Sequence, residues 1–335
     1  MAADKIAIDF GSAQTKIYKL GYGMVLSEPT LAAVTAGEKS SVRAVGKEAK
    51  KLVGKTAEKT KIVSPVSGGE IVSDKVAVSI LDEFLKKIEY KSGFGGGKAL
   101  VSVPCGADGN FLKRYEAVLA DAGIATADFV YAPILAAIGQ DLTLTEFSPY
   151  FIIDMGAGAT DIAAVSMEGV IAGVSVSAGL NKVDSALIDF IAEEYGLQIG
   201  ILTAEKLKIQ IGSLMENDTL SAVINGRDLT TGKPRSISLS SKNIRKVLCD
   251  FYDTVADIAL KVLAKLPPEV SAEIRHAGIY LSGGGAKIYG LEEYYLKKFG
   301  MPVNVAANPD MCVAFGGGIA LGNPDMLKKI KIKND

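Results

Sequence analysis

The chain has 335 residues, room for about two domains, and is 48% apolar and 22% charged, the make-up of a protein that buries a core. A net charge of −1 leaves no basic excess for sequence-independent nucleic-acid binding. No apolar run is long enough to span a bilayer, and the single histidine, His276, argues against a His-based metal site or a Ser-His-Asp triad.

The start, Met1-Ala2-Ala3-Asp4-Lys5, carries no secretory apolar core and leads into Lys5–Lys19, which reads as two strands around a turn. Gly23–Val34 continues as strand with a bend at Glu28-Pro29, Glu48–Gly54 is a short helix ended by glycine, and Pro65–Gly69 is a loop. Lys75–Tyr90 has apolar residues at Val76, Ile80, Leu81, Phe84, Leu85 and Ile88, which is helical spacing. Ser92–Gly97 is an exposed glycine loop around Phe94, Ala99–Val103 a strand, and Asp108–Ala122 a helix with Asp108 as N-cap. Phe129–Gln140 starts extended and turns helical after Pro133. In the second half, Lys182–Tyr195 is helical, with Asn181 as N-cap and Gly196 as terminator, and Thr203–Leu214 is another helix. Ala222–Leu239 reads as strands around Thr231–Pro234. Ser240 or Ser241 then caps a long helix that Pro267-Pro268 stops. Gly278–Leu281 is a strand, Leu291–Phe299 a helix, Val303–Val305 a strand and Met311–Leu321 a helix; the basic tail Lys328–Asp335 reads as solvated. Cys105, Cys249 and Cys312 are far apart and each in apolar company, as reduced core residues of a cytoplasmic protein would be. The alternation of strands and helices in each half predicts an α/β fold with a mainly parallel sheet per half and a cleft between the halves.

One stretch organises the chain: Phe151–Val165, FIIDMGAGATDIAAV, two apolar runs around a small turn. The turn sets a carboxylate, Asp154, at a strand end and follows it with glycines that let backbone N–H groups face a phosphate. A carboxylate beside phosphates implies a bridging cation, Mg²⁺. The pattern recurs at Ile8–Ile17, where Ile, Asp, Gly, Thr and the closing Ile coincide with Ile153–Ile162. A single copy is explained by an ordinary glycine hairpin; two copies point to a duplicated domain closing two phosphate turns on one nucleotide. Ser282-Gly283-Gly284-Gly285-Ala286 is a third glycine element, after a strand, and Glu205 and Lys208 lie three apart on one helix.

The chain resembles the MreB/Mbl family of bacterial actins, within the actin, sugar-kinase and heat-shock-chaperone ATPase superfamily. IDFGSAQTKIY at 8–18, VSVPCG at 101–106, IDMGAGATDIAAVS at 153–166 and GIYLSGGGAKIYGLEEYY at 278–295 carry the superfamily likeness. The block 196–245, with GLQIGILTAEKLKIQIGS and NGRDLTTGKPRSISLSSKNIR, carries the likeness to this family in particular. The resemblance implies an actin-like ATPase fold of two duplicated lobes with RNase H-like sheets. These would be residues 1–148, with a subdomain at about 32–75, and 149–335, with one at about 182–245. It implies ATP or ADP with Mg²⁺ in the cleft, homopolymer filaments, cell-wall morphogenesis partners and a cytoplasmic place. By the same likeness Ser12, Ala13, Gln14, Gly156, Ala157 and Gly158 meet the terminal phosphates, and Asp9 and Asp154 face the metal. Glu205 and Lys208 meet the ribose or base, and Gly283, Gly284, Gly285 and Ala286 lie under the adenosine.

One departure bears on turnover. The family carries Glu-Glu-Pro where this chain has Tyr131-Ala132-Pro133, so Ala132 stands at the position of the glutamate that activates water. The expectation is therefore a filament with weak or absent hydrolysis. The alternatives are a non-polymerising ATP-binding switch and a sugar or acetate kinase, the latter lacking its obvious proton acceptor at Ala132. Phe94, between Lys91 and Lys98, is the candidate contact with the inner membrane surface, against the plain reading of one exposed aromatic.

Overall fold

The computed structural model describes residues 3–35, 41–56, 59–93, 97–146 and 148–333. Strands β1 (Lys5–Phe10), β2 (Gln14–Lys19) and β3 (Gly23–Pro29) form an antiparallel meander. The chain then builds a small sheet from β4 (Ala32–Thr35), β5 (Ser41–Val45) and, after helix α1 (Gly46–Lys50), β6 (Thr60–Val63). Next comes a hairpin of β7 (Val66–Ser67) and β8 (Glu70–Ile71). Pro65–Gly69 is thus not the open loop expected: Gly68-Gly69 make the turn that lets the two short strands pair. Helix α2 (Asp74–Lys87) buries Val76, Ala77, Ile80, Leu81, Phe84 and Leu85, one apolar stripe. Then follow β9 (Lys98–Val103), α3 (Gly109–Asp121), β10 (Thr126–Tyr131) and α4 (Ala132–Ile138). Asp108 caps α3, its carboxylate accepting the Phe111 N–H at 2.8 Å. The first sheet runs β10-β9-β1-β2-β3.

The second half repeats this plan. Strands β11 (Tyr150–Met155), β12 (Thr160–Ser166) and β13 (Gly169–Val176) form a meander. Helix α5 (Leu180–Tyr195), β14 (Leu197–Gln198), α6 (Ile201–Ile211), β15 (Ser221–Asp228) and β16 (Pro234–Ser240) make a side unit, which α7 (Ser241–Leu263) leaves. Then come α8 (Pro268–Ala277), β17 (Ile279–Ser282), α9 (Leu291–Phe299), β18 (Val303–Val305), α10 (Cys312–Gly322) and α11 (Pro324–Ile330). Strands β17 and β18 lie parallel to β11, so this sheet reads β18-β17-β11-β12-β13, the order and sense of the first. Neither sheet is mainly parallel. Each is half antiparallel, because the short glycine turns that open each half can join only antiparallel neighbours.

Three further expectations change. Pro267-Pro268 does not merely stop α7; it starts α8, with proline in the first turn where no N–H is needed. Asn181 is not the cap of α5. The helix begins two residues earlier, at Leu180 after Gly179, and the N–H groups of Leu180 and Asn181 donate to the carbonyls of Gly156 and Ala157, at 3.1 and 2.9 Å. The tail is docked rather than solvated. Ile330 is buried, the Ile332 N–H donates to the Phe129 carbonyl, and Lys331 pairs with Asp128 at 3.0 Å.

Helices α4 and α10 cross between the sheets and form the floor common to both halves. A third apolar core joins Ala7, Leu100 and Leu135 on one side with Ile152, Ala163 and Val165 on the other. The crossing is close enough to need glycine. A Cβ at Gly139 would overlap the Cys312 carbonyl, and one at Gly316 the Leu135 carbonyl. Although α10 and α11 come last in the chain, they pack on the first half: Gly317 lies against Ala7 and Gly318 against Tyr18. The three cysteines are free thiols, two buried and Cys249 half-buried. Among the described residues, no helix is long and apolar enough to cross a membrane.

Candidate functional site

The two opening turns face each other across the cleft above α4. In each, the glycine after the aspartate closes the turn in the same way: Gly11 N–H donates to the Gln14 carbonyl at 3.1 Å, and Gly156 N–H to the Ala159 carbonyl at 2.9 Å. The turns approach so closely that a Cβ on Gly158 would overlap the Ser12 hydroxyl and stand 3.2 Å from the Gly68 nitrogen. Glycine is required there by contact, not by backbone angle. Between the turns lies a cavity of about 240 Å³ that opens to solvent.

Most residues singled out from the sequence line this space: Ser12, Ala13 and Gln14; Gly156, Ala157 and Gly158; Gly283 and Gly284; and Asp9 and Asp154. Ala132, in the first turn of α4, lines it too. Others lie outside its lining. The Gly285 carbonyl accepts the Tyr252 hydroxyl at 2.7 Å, and Ala286 is buried behind it. Glu205 is held by Lys50 of the opposite half at 3.2 Å, and Lys208 by Asp184 at 2.8 Å. Phe94 lies outside the described residues.

Two lining residues did not stand out in the sequence. Lys16 on β2 is 8% exposed and points its ammonium at Asp9, 3.7 Å away. A lysine between the apolar residues of a strand was the signal available. Asp161 is inside the cleft as well. Antiparallel pairing across the turn sets it directly opposite Asp154. All seven residues of β12 are buried, so a carboxylate there must find partners, and Asp161 accepts the Cys105 N–H at 2.7 Å.

The cleft thus concentrates carboxylates beside one ammonium. Asp9 accepts from the Ser102 hydroxyl at 3.1 Å, and Asp154 from the Ser282 hydroxyl at 2.8 Å. Burial pushes Asp154 up to about 6 and Asp161 to about 7, with the neighbouring carboxylates adding to the rise. Both acids hold protons more tightly folded than unfolded. They favour the native state below the usual carboxylate range, and that contribution is lost as pH rises from about 4 through 7. Without ligands, these two groups are expected to lower the melting temperature as pH rises from about 4 to 7, and Asp161→Asn to flatten that fall. A thermal melt series across pH checks this; equal slopes for the two proteins would refute it.

Among the described residues, no three acidic, cysteine or histidine side chains converge as a metal cage. Asp9 and Asp154, at the entrances of the two turns, are the residues that would hold a hydrated Mg²⁺ there.

The profile of the MreB/Mbl protein family matches residues 3–329. The chain belongs to the MreB/Mbl family. It is 34% identical to the cell shape-determining protein MreB of Escherichia coli K12, over 97% of this chain and 95% of that one. It is 33% identical to the cell shape-determining protein Mbl of Bacillus subtilis 168, over 99% and 100%. Among solved structures, MreB5 of Spiroplasma citri bound to ADP superposes with a TM-score of 0.90 at 29% identity, covering 98% of each chain. The fold is actin-like, two duplicated α/β lobes around a cleft. Within this MreB/Mbl frame, the cleft carries alanine at the start of α4, and burial keeps the neighbouring Tyr131 hydroxyl protonated.

Proposed function

We propose that this MreB/Mbl protein binds ATP or ADP with Mg²⁺ in the cleft, assembles into cell-shape filaments and hydrolyses ATP weakly. The observation that carries the reading is the pair of matching turns facing each other across one space, each with an aspartate at its entrance. In this reading the backbone N–H groups of Ser12, Ala13, Gln14, Gly156, Ala157 and Gly158 take the phosphates, and Asp9 and Asp154 hold water around the metal. Gly283 to Ala286 lie under the adenosine. Lys16 supplies the cation that lets phosphates enter a cleft of carboxylates. Glu205 and Lys208 reach the ribose when their present ion pairs rearrange. The lobes divide near residue 148, with side units at about 32–75 and 182–245. The protein is placed in the cytoplasm, where the filament serves morphogenesis, and Phe94 supplies a membrane-surface contact that liposome flotation of Phe94→Ala tests.

Support for self-assembly comes from the family and from the actin-like frame. The test is high-speed sedimentation and negative-stain imaging with ATP, with ADP and with neither, beside titration of a fluorescent ATP analogue. ATP-dependent filaments are expected. Lys16→Met is expected to weaken the analogue about tenfold or more, the worth of a buried charge-assisted bond. Ala132 favours a second reading, a non-polymerising switch that holds ATP; nucleotide binding with only monomers, at up to roughly tens of micromolar protein, would select it.

A further inference from the structure

The cleft has outer lips as well as a floor. On one lip, Lys50 ends α1, beside the small sheet of β4, β5 and β6. On the other, Glu205 stands in the middle of α6. Their side chains meet at 3.2 Å, although 155 residues separate them in sequence. Neither lines the inner space, and both are about two-fifths exposed, so the pair spans the gap from outside. From Glu205 the connection continues inward. Lys208, one turn along α6, donates to Asp184 at 2.8 Å and to the Leu180 carbonyl at 3.4 Å. The Leu180 N–H in turn donates to the Gly156 carbonyl at 3.1 Å, in the second turn of the site. A further bond between the halves runs from the Ser177 hydroxyl to the Gly68 carbonyl at 3.4 Å.

We propose that Lys50 and Glu205 form a latch across the mouth of the cleft, which sets how fast a bound nucleotide leaves. The proposal rests on the nucleotide reading above and adds to it a part for Lys50, which touches no residue of the site's lining. Escape of a nucleotide requires the lips to part, and parting breaks this pair. Because the pair is half-exposed, water and salt screen it, and the latch retards release without locking it. Glu205 is bound on one side by Lys50, so opening the lip frees it to move toward or away from the ribose, while Lys208 stays held by Asp184 and the Leu180 carbonyl.

The test uses full-length protein and two readouts. Stopped-flow displacement of a fluorescent ATP analogue gives the release rate. Pulsed spin-label distances between Lys51→Cys and Lys206→Cys, in a Cys249→Ser background that leaves only the buried thiols, give the gap between the lips. Lys50→Glu and Glu205→Lys are each expected to speed release about fivefold, the upper end for a half-exposed pair, and to lengthen the distance. The doubly swapped protein is expected to return to within about twofold of wild type, since it restores the pair. Wild-type release rate and distance in Lys50→Glu would overturn the latch. So would a double swap as fast as Glu205→Lys, which would mean that Glu205 acts on the nucleotide directly. If the analogue binds no variant and not the wild type, the nucleotide reading fails. The distance arm still decides the latch: a longer gap in Lys50→Glu, closed again by the swap, supports it, and an unchanged gap overturns it.

Discussion

Ala132→Glu is expected to raise phosphate release by ~10²–10⁴, the usual worth of a positioned acid/base group. Ala132 is 9% exposed and lines the cleft from the first turn of α4, in the space that both glycine turns line. A glutamate there would sit at a helix N-terminus, where the peptide dipoles favour a carboxylate and no refolding is needed. The wild type has no side chain beyond a methyl at this place. Tyr131 beside it is no substitute, because burial holds its hydroxyl protonated. The cleft does contain Asp161, which makes the measurement discriminating. If Asp161 already orients water, wild type and Ala132→Glu will release phosphate at the same rate and Asp161→Asn will slow both. If Ala132 marks a missing base, only the glutamate variant will be fast. Nucleotide affinity, titrated separately, must stay unchanged for the comparison to count.

Gly316→Ala is expected to destabilise the protein by about 3 kcal/mol, at the upper end for overpacking a core. The sign is the informative part. In a helix interior, glycine to alanine ordinarily stabilises by roughly 1 kcal/mol. Here the added methyl would run into the Leu135 carbonyl, and the reciprocal position, Gly139, faces the Cys312 carbonyl in the same way. Backbone on both sides leaves no side chain to swing aside, so α4 and α10 would have to separate. Gly109→Ala, at the open first position of α3, serves as control and should be neutral or slightly stabilising. Urea unfolding of the three proteins decides it. A Gly316→Ala midpoint at or above wild type would mean that the two helices do not touch backbone to backbone.

How far the site could be read in advance depended on local pattern. The turns at Gly11 and Gly156 are written in a few adjacent residues, and the structure brings Asp9, Ser12, Ala13, Gln14, Asp154, Gly156, Ala157 and Gly158 to one space. Glu205 and Lys208 were singled out from spacing along a helix, but what they touch is set by Lys50 and Asp184, which the sequence does not put beside them. Asp161 was missed, because its place in the cleft follows from the strand register rather than from its distance along the chain. The same holds for the fold. The apolar stripe of α2 and the cap of α3 are local and were legible. The mixed sense of the sheets, the start of α8 at a proline pair and the docking of the tail against Phe129 and Asp128 depend on partners far away in sequence.

The return of α10 and α11 to the first sheet has a consequence for how the protein is made. Their residues leave the ribosome long after Ala7 and Tyr18, against which α10 packs. At ~5–20 residues per second, the part of β1, β2 and β9 that α10 covers waits roughly ten to forty seconds after β10 has emerged. The nascent first lobe therefore cannot finish on its own during synthesis. Its closing contacts have very long sequence separation, the kind that slows folding and leaves sticky apolar surface exposed meanwhile. A nascent chain cut short before residue 312 should thus be a client for chaperones and proteases, and the C-terminal helices act as the stopper that ends its vulnerability.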